Sequence, residues 1–150
     1  MSSKAKWITV GVVAAVVVLT ILILSLSFEV PRNCDAYFDY DTVSSVSLTE
    51  RAEWNDAEQR YEMRKTVLAY EDVTLFRESL RGLTWRPMVG KPADTGRVIT
   101  VSFADGYTTI SDNLIVRYNT AGEEVRRGVV RFGGTYEDLF LYFTADPIAA

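Results

Sequence analysis

The hydrophobic and polar positions of the chain separate one long apolar segment from a longer region in which the two kinds of residue alternate. Residues Trp7 to Phe28 carry no charged side chain over 22 positions, and 14 of them are Ile, Val, Leu or Phe. A helix rises about 1.5 Å per residue, and the hydrocarbon core of a bilayer is about 30 Å thick. The segment is therefore long and apolar enough to be a transmembrane helix, with the lipid bilayer as its partner.

Charged residues on the two sides of this segment predict its orientation. Lys4 and Lys6 precede it, whereas Glu29 and Arg32 nearly cancel each other after it. Because an excess of Lys and Arg stays on the cytoplasmic side, we expect the N-terminus in the cytoplasm. The residues after Phe28 are then expected to lie outside the cell membrane.

A cleaved signal peptide is the alternative interpretation of the same segment. Such peptides have apolar regions of about 7–15 residues, followed by a cleavage site of small residues. The apolar run here is longer, and the sequence Phe28-Glu29-Val30-Pro31-Arg32 offers no such site. We therefore expect a permanent, single-pass signal anchor.

Two features of the sequence bear on binding partners. Gly11 and Ala15 form a small-xxx-small pair, which is either an ordinary feature of membrane helices or a face through which two helices approach closely. The sequence therefore leaves open, as an alternative, a homodimer in the membrane or another protein partner. All 20 acidic residues and 14 of the 16 basic residues follow the apolar segment, which gives that region a net charge of −6. This charge disfavours nucleic acid as a partner, because phosphates attract a basic surface.

The region after the anchor alternates apolar and polar residues with the period of two that is typical of half-buried strands. Within it, Asp105-Gly106 favours a type I′ hairpin turn, in which both residues have positive φ. A break at Asp112-Asn113 is interpreted as a bulge within one strand. The pattern predicts five strands, at 43–54, 61–70, 97–104, 107–118 and 123–132.

Two stretches have helical periodicity instead. Apolar residues recur at spacings of three and four at Val73, Phe76, Leu80 and Leu83. This periodicity predicts a helix over residues 72–82 that is capped by Asp72 and stopped by Gly82. Residues 135–144 are rich in aromatic side chains and are predicted to form a terminal helix, with an edge strand as the alternative. The order β-β-α-β-β-β-α predicts an α+β domain with an antiparallel sheet.

The segment between the anchor and the first predicted strand contains the only cysteine, Cys34. We expect Cys34 to be a solitary thiol in a short linker, with an intermolecular disulfide as the alternative. Three aromatic residues of this linker either anchor in the membrane interface or, as we prefer, make the first contacts with the domain: Tyr37, Phe38 and Tyr40. The predicted organisation is a cytoplasmic tail 1–6, a transmembrane helix 7–28, a juxtamembrane linker 29–42 and an extracytoplasmic domain 43–150.

The composition excludes most catalytic and metal chemistry. The chain has no histidine and a single cysteine, which excludes Ser-His-Asp triads, Cys-His pairs, CxxC redox pairs and structural zinc sites. It also lacks the glycine motifs that bind nucleotides. We therefore predict no catalytic, cofactor-binding or metal-binding residues, no cofactor and no enzymatic activity.

Carboxylates are the remaining candidates for acid–base chemistry. Glu71 and Asp72 are adjacent, as are Glu123 and Glu124. Adjacent residues of a strand point to opposite faces, so such pairs do not converge as the two carboxylates of a glycosidase do. A carboxylate-dependent hydrolase that acts on cell-wall glycans stays an alternative function.

Four arginines lie on two neighbouring predicted strands, at Arg117, Arg126, Arg127 and Arg131. Arg127 and Arg131 share one face of their strand, and Arg117 could join them from the neighbouring strand. Guanidinium groups bind carboxylates and phosphates through paired hydrogen bonds. An anion- or ligand-binding domain with an Arg-rich strand face is therefore a second alternative.

The alternating strand, the helix that starts at Asp72 and ends near Leu83, and the hairpin segment RVITVSFADGYTTI resemble small membrane-anchored or lipoprotein domains of unassigned function in Gram-positive bacteria. The resemblance is one of pattern over residues 60–145, without a diagnostic motif. It implies an extracytoplasmic α+β domain and no particular functional residue. The expected function is that of a bacterial, single-pass membrane-anchored domain for binding or assembly.

Overall fold

The computed structural model describes residues 2–93 and 96–144, with the backbone alone at residues 27–29 and 144. Residues 145–150, the end of the predicted extracytoplasmic domain, lie outside the described part. The chain forms two compact units, Met1–Val30 and Pro31–Ala150.

The first unit is the helix α1, Ser3–Glu29. The hydroxyl of Ser2 accepts a hydrogen bond from the Ala5 amide and so caps the start of the helix. Thr9 and Thr20 donate their hydroxyls to carbonyl groups one turn earlier, which satisfies these polar side chains within the helix. Within Ser3–Leu26, an 18-residue window reaches a mean hydropathy of 2.8, so the helix is long and apolar enough to cross a membrane, as the sequence predicts.

The second unit is built on one antiparallel sheet of eight strands, in the spatial order β1-β4-β8-β7-β6-β5-β2-β3. Two helices and one short 3-10 helix, Tyr40–Thr42, complete it. The strands are β1 Arg32–Asn33, β2 Ser45–Asn55, β3 Arg60–Val67, β4 Thr84–Pro87, β5 Arg97–Phe103, β6 Gly106–Ser111, β7 Leu114–Asn119 and β8 Glu124–Phe132. The helices are α2 Tyr70–Arg81 and α3 Asp138–Thr144.

The alternation of buried and half-buried residues along the strands gives the sheet two different faces. In β5, Ile99, Val101 and Phe103 are buried, whereas the residues between them are half-buried. We call the face of these three residues the core face, because they join one hydrophobic cluster with residues of α2 and α3. The opposite face is called the open face. Helix α2 packs against α3 through ring contacts of Phe76 with Tyr142 and Phe143.

The α+β class and the antiparallel sheet are confirmed, but the predicted order of five strands is wrong. Strands β1 and β4 are missing from the prediction because two and four residues are too short to show an alternating pattern. The predicted bulge at Asp112-Asn113 is instead a two-residue turn, since Ser111 and Leu114 are paired residues of β6 and β7. One predicted strand is therefore two.

The helix predictions are right in type and differ in detail. Helix α2 begins at Tyr70, with Ala69 as the N-cap and no capping side chain, so Asp72 lies in the first turn. Gly82 ends the helix as predicted, and its backbone has a right-handed conformation. The predicted terminal helix is a helix from Asp138, so the alternative of an edge strand is wrong.

The region predicted as a linker is largely part of the folded unit, which begins at Pro31. Cys34, Tyr37 and Phe38 are 0%, 3% and 3% exposed and belong to the hydrophobic core. The Thr108 hydroxyl donates a buried hydrogen bond to the Tyr37 carbonyl and so fixes this segment on β6. Aromatic residues have enough apolar surface to hold a short segment on the core face.

Candidate functional site

Strand β3 forms one end of the sheet, and its outer side pairs with no other strand in the described part of the chain. The strand has eight residues, of which all but Thr66 are exposed. Glycine and proline are absent from it. An exposed strand of this length presents unpaired backbone N–H and C=O groups to which another strand can bind.

The side chains of β3 alternate between a charged row and a mainly apolar row. Glu62 and Arg64 lie on the side of the core face, because Arg64 pairs with Glu50 of β2. Tyr61, Met63 and Val67 lie on the other side and are 45%, 59% and 59% exposed. The outer strand therefore combines an apolar row with charges of both signs.

The charged row has partners within its own hairpin. Arg64 donates from Nε to Glu50 Oε1 at 3.0 Å and also contacts this oxygen through Nη2. Asn55 donates to Glu62 Oε1 at 2.6 Å. These contacts hold the two charged side chains in place beside the free edge.

The far end of the β2–β3 hairpin carries an aromatic pair. The rings of Trp54 and Tyr61 meet edge to face with centroids 4.9 Å apart, and the Arg51 guanidinium lies 4.7 Å from the Tyr61 ring centroid. Beyond Glu50, the β2 residues pair with β3 and not with β5. This half of the hairpin therefore projects past the rest of the sheet.

The open face has a centre of hydroxyl side chains with basic residues towards its sides. The Tyr107 and Tyr118 rings stack with centroids 4.8 Å apart. Strand register places the basic residues of this face at Arg51, Lys65, Arg86, Arg127 and Arg131. It places hydroxyl residues at Ser47, Thr49, Thr100, Ser102, Thr109 and Ser111.

The predicted arginine cluster is divided between the two faces. Arg117 lies directly opposite Arg126 on β7 and β8, which puts both on the core-face side. Arg117 donates to the Ala36 carbonyl and to Asp105, and Arg126 lies over the Tyr37 ring. The expectation that Arg117 joins Arg127 is therefore wrong. The residue opposite Arg127 is Val116, so Arg127 and Arg117 lie on different faces of the sheet.

A different pair of arginines occupies directly opposite positions on the open face. Arg86 of β4 lies directly opposite Arg131 of β8. Both line a cavity of about 250 Å³ together with Pro31, Thr84, Trp85, Phe132 and Gly133. The sequence did not reveal Arg86 as a member of this pair, because β4 was not predicted. Arg127, which lies on the same face of β8 as Arg131, instead binds Glu124 at 2.8 Å.

A second cavity, of about 540 Å³, lies between the β2–β3 hairpin and α3. Arg97 stands beside it, with its guanidinium 3.9 Å from the Phe140 ring centroid and 2.9 Å from both Asp112 and Glu137. Burial alone would lower the pKa of Arg97, but the hydrogen bonds to Glu137 and Asp112 raise it. Through these contacts, Arg97 holds α3 and the segment before it on the sheet.

The thiol of Cys34 is buried and contacts the Leu83 carbonyl oxygen at 3.5 Å. Burial raises its pKa from 9.0 to about 12, and the Asp35 charge acts in the same direction. A buried, protonated thiol is a poor nucleophile. An intermolecular disulfide through Cys34 would require the segment around it to leave the core.

The adjacent carboxylates occupy separate local environments. Glu123 accepts from Asn119 at 3.1 Å, Glu124 binds Arg127, and Glu71 and Asp72 lie in the first turn of α2. Asp72 also lines an open pocket of about 390 Å³ with Ser79, Asp138, Leu141 and Tyr142. Within residues 2–93 and 96–144, no group of three or more His, Cys, Asp or Glu side chains is placed to hold a metal ion.

No family model matches the chain, and neither does any curated protein or solved structure.

Proposed function

We propose that the chain is a single-pass membrane protein whose folded unit lies outside the cytoplasmic membrane and serves binding or assembly. The main observation in support of a membrane anchor is the long apolar helix α1. The charges at Lys4 and Lys6 support the orientation with the N-terminus in the cytoplasm. Lipid is then the partner of α1.

The exposed strand β3 supports a binding or assembly role for the folded unit. Its backbone edge and its apolar row are both accessible to another protein. Proteins normally shorten, cover, bend or charge such edges, because a free edge attracts other strands. An uninterrupted edge of eight residues fits a surface that has a partner. We propose no catalytic role, since the chain lacks histidine and its one thiol is buried.

Photo-crosslinking in intact membranes tests this proposal. A photoreactive amino acid at Met63, on the exposed edge strand, is expected to give specific protein adducts. The control is the same amino acid at Leu75, which is 58% exposed but belongs to α2 and not to β3. Adducts at neither position, or equal adducts at both, would contradict binding through β3.

The cross-strand pair of Arg86 and Arg131 supports a second candidate function, the binding of a phosphate or carboxylate. Strand register places these two arginines directly opposite each other on neighbouring strands. Two guanidinium groups can bind one such anion through several hydrogen bonds. The cavity that both arginines line is large enough for a small anion.

Calorimetric titration of the full chain with inorganic phosphate tests this second candidate. Arg131→Ala is expected to abolish binding. Arg127→Ala is the matched control, because Arg127 lies on the same face of β8 but already binds Glu124. Anion binding at this pair would be excluded if the wild-type protein gives no heat of binding, or if the Arg131→Ala variant binds phosphate as the wild type does.

A further inference from the structure

We propose that two copies of this chain pair through their β3 strands, antiparallel to each other, with Met63 opposite Met63 of the second copy. This inference rests on the proposed binding or assembly role and names the partner as a second copy. Strand β3 is the exposed end of the sheet, so antiparallel addition would continue the sheet from one copy into the other. A twofold axis through Met63 makes the contact closed and symmetric.

The charges along β3 select this register over its neighbours. In the sequence Arg60-Tyr61-Glu62-Met63-Arg64-Lys65-Thr66-Val67, opposite charges flank Met63. Pairing about Met63 places Glu62 opposite Arg64 of the second copy, and Arg64 opposite its Glu62. Opposite charges in directly facing positions stabilise a strand pair, so this register gains two attractive pairs.

The competing registers bring like charges together. Pairing about Glu62 places Glu62 opposite Glu62 and Arg60 opposite Arg64. Pairing about Arg64 places two arginines opposite each other, and pairing about Lys65 does the same with two lysines. Pairing about Tyr61 matches Arg60 with Glu62 but overlaps only the three residues 60–62 of the strand.

The side chains of β3 have the capacity for these additional contacts. A guanidinium has five N–H donors, so Arg64 can hold Glu50 of its own chain and Glu62 of the second copy together. On the other side of the strand, Lys65 would lie opposite the Tyr61 ring, which attracts a cation. Met63 would contact its own counterpart, and the flexible thioether packs readily at such a point.

A membrane anchor favours this association further. Two copies that are confined to one bilayer meet at a higher effective concentration than two copies free in solution. A strand contact that is weak in solution can therefore be populated in the membrane. The contact is distinct from helix packing at Gly11 and Ala15, which involves another part of the chain.

Cysteine crosslinking of the full chain in its native membrane tests the register. In the Met63→Cys variant, the two introduced thiols face each other across an antiparallel pair whose Cα atoms lie about 4.5–5.5 Å apart, within reach of a disulfide. Mild oxidation is expected to give a covalent homodimer. Lys65→Cys is the matched control, because its counterpart lies four residues further along, at about 13 Å.

Charge exchange tests the pairing independently of any introduced thiol. Two Glu62→Arg chains would bring arginines opposite each other, and two Arg64→Glu chains would bring glutamates opposite each other. Each variant alone is expected to lose about tenfold or more in dimer affinity. Co-expressed with different tags, the two variants complement each other and are expected to co-purify as a heterodimer. A variant that had merely lost its fold would show no such rescue.

The outcomes separate the dimer from the broader function. Failure of the Met63→Cys dimer, an equal dimer from Lys65→Cys, or no rescue in the mixture would overturn the self-pairing. If Met63 still crosslinks to another protein in that case, the binding role stands and only the identity of the partner is wrong. If Met63 forms no adduct of any kind, both proposals fall.

Discussion

Gly106 and Tyr118 approach so closely that only a residue without a side chain fits at position 106. A β-carbon there would lie nearer to the Tyr118 carbonyl oxygen than the 3.0 Å limit that real β-carbons respect. The backbone of Gly106 has φ +149°, which other residues rarely adopt. The β5–β6 hairpin and its contact with β7 therefore depend on this glycine.

Gly106→Ala is expected to destabilise the folded unit by about 2 kcal/mol or more, because the clash involves backbone and the φ value adds strain. Urea unfolding of the full chain in detergent micelles, followed by tryptophan fluorescence, measures the change. Gly134→Ala is the control, since a β-carbon at Gly134 meets no atom within 4 Å. Equal effects of the two substitutions would contradict the close approach.

The same hairpin illustrates what the sequence can and cannot predict. The Asp105-Gly106 pair correctly indicates a hairpin, but a type I′ turn centred on these two residues is wrong. The paired residues are Phe103 and Gly106, so the turn residues are Ala104 and Asp105. The need for glycine comes from β7, a contact between strands that no local pattern reveals.

Arg97 connects β5, the β6–β7 turn and the segment before α3 through Asp112 and Glu137. Arg97→Met is expected to cost about 1–3 kcal/mol of unfolding free energy, because two charge-assisted hydrogen bonds and a ring contact are lost. Arg60→Met is the control, because Arg60 is exposed and contacts the exposed Glu58. An exposed ion pair contributes about 0–1 kcal/mol. The same urea titration compares the two variants. Equal losses of unfolding free energy would show that Arg97 does not stabilise the fold through Asp112 and Glu137.

The Cys34 thiol predicts a pH dependence of stability. Its pKa is raised from 9.0 to about 12, so the folded state holds the proton more tightly than the unfolded state. This contribution is fully present below pH 9 and is lost as pH rises towards 12. The unfolding free energy of the wild type should therefore fall more steeply above pH 9 than that of Cys34→Ala. Parallel slopes in the two proteins would show that Cys34 is not buried as described.

A charge at the middle of α1 tests its insertion. Val17→Arg is expected to disfavour membrane insertion by about 3 kcal/mol, since an arginine near the bilayer centre is poorly solvated. The fraction of chain that resists carbonate extraction should fall. Ser3→Arg, at the start of the same helix, should leave that fraction unchanged. Equal retention of both variants would argue against a membrane-spanning α1.

The limits of sequence reasoning follow the length of the elements. The helical spacing of Val73, Phe76, Leu80 and Leu83 correctly predicts a buried face, because four residues repeat a pattern. β1 has two residues and β4 contains a proline, so neither shows a period. The segment from Cys34 to Phe38 is held by contacts with distant strands, among them Thr108. The Arg86–Arg131 pair could not be predicted either, because it forms only when β4 pairs with β8.

The most direct test of the account is the side of the membrane on which the folded unit lies. Val89→Cys introduces a thiol at a position that is 84% exposed. The wild-type protein, whose Cys34 is buried, is the unlabelled control. A membrane-impermeant maleimide is expected to label Val89→Cys in intact cells, and to label Ser3→Cys only after permeabilisation. Labelling of Ser3→Cys but not of Val89→Cys in intact cells would contradict an extracytoplasmic unit held by a cytoplasmic N-terminus.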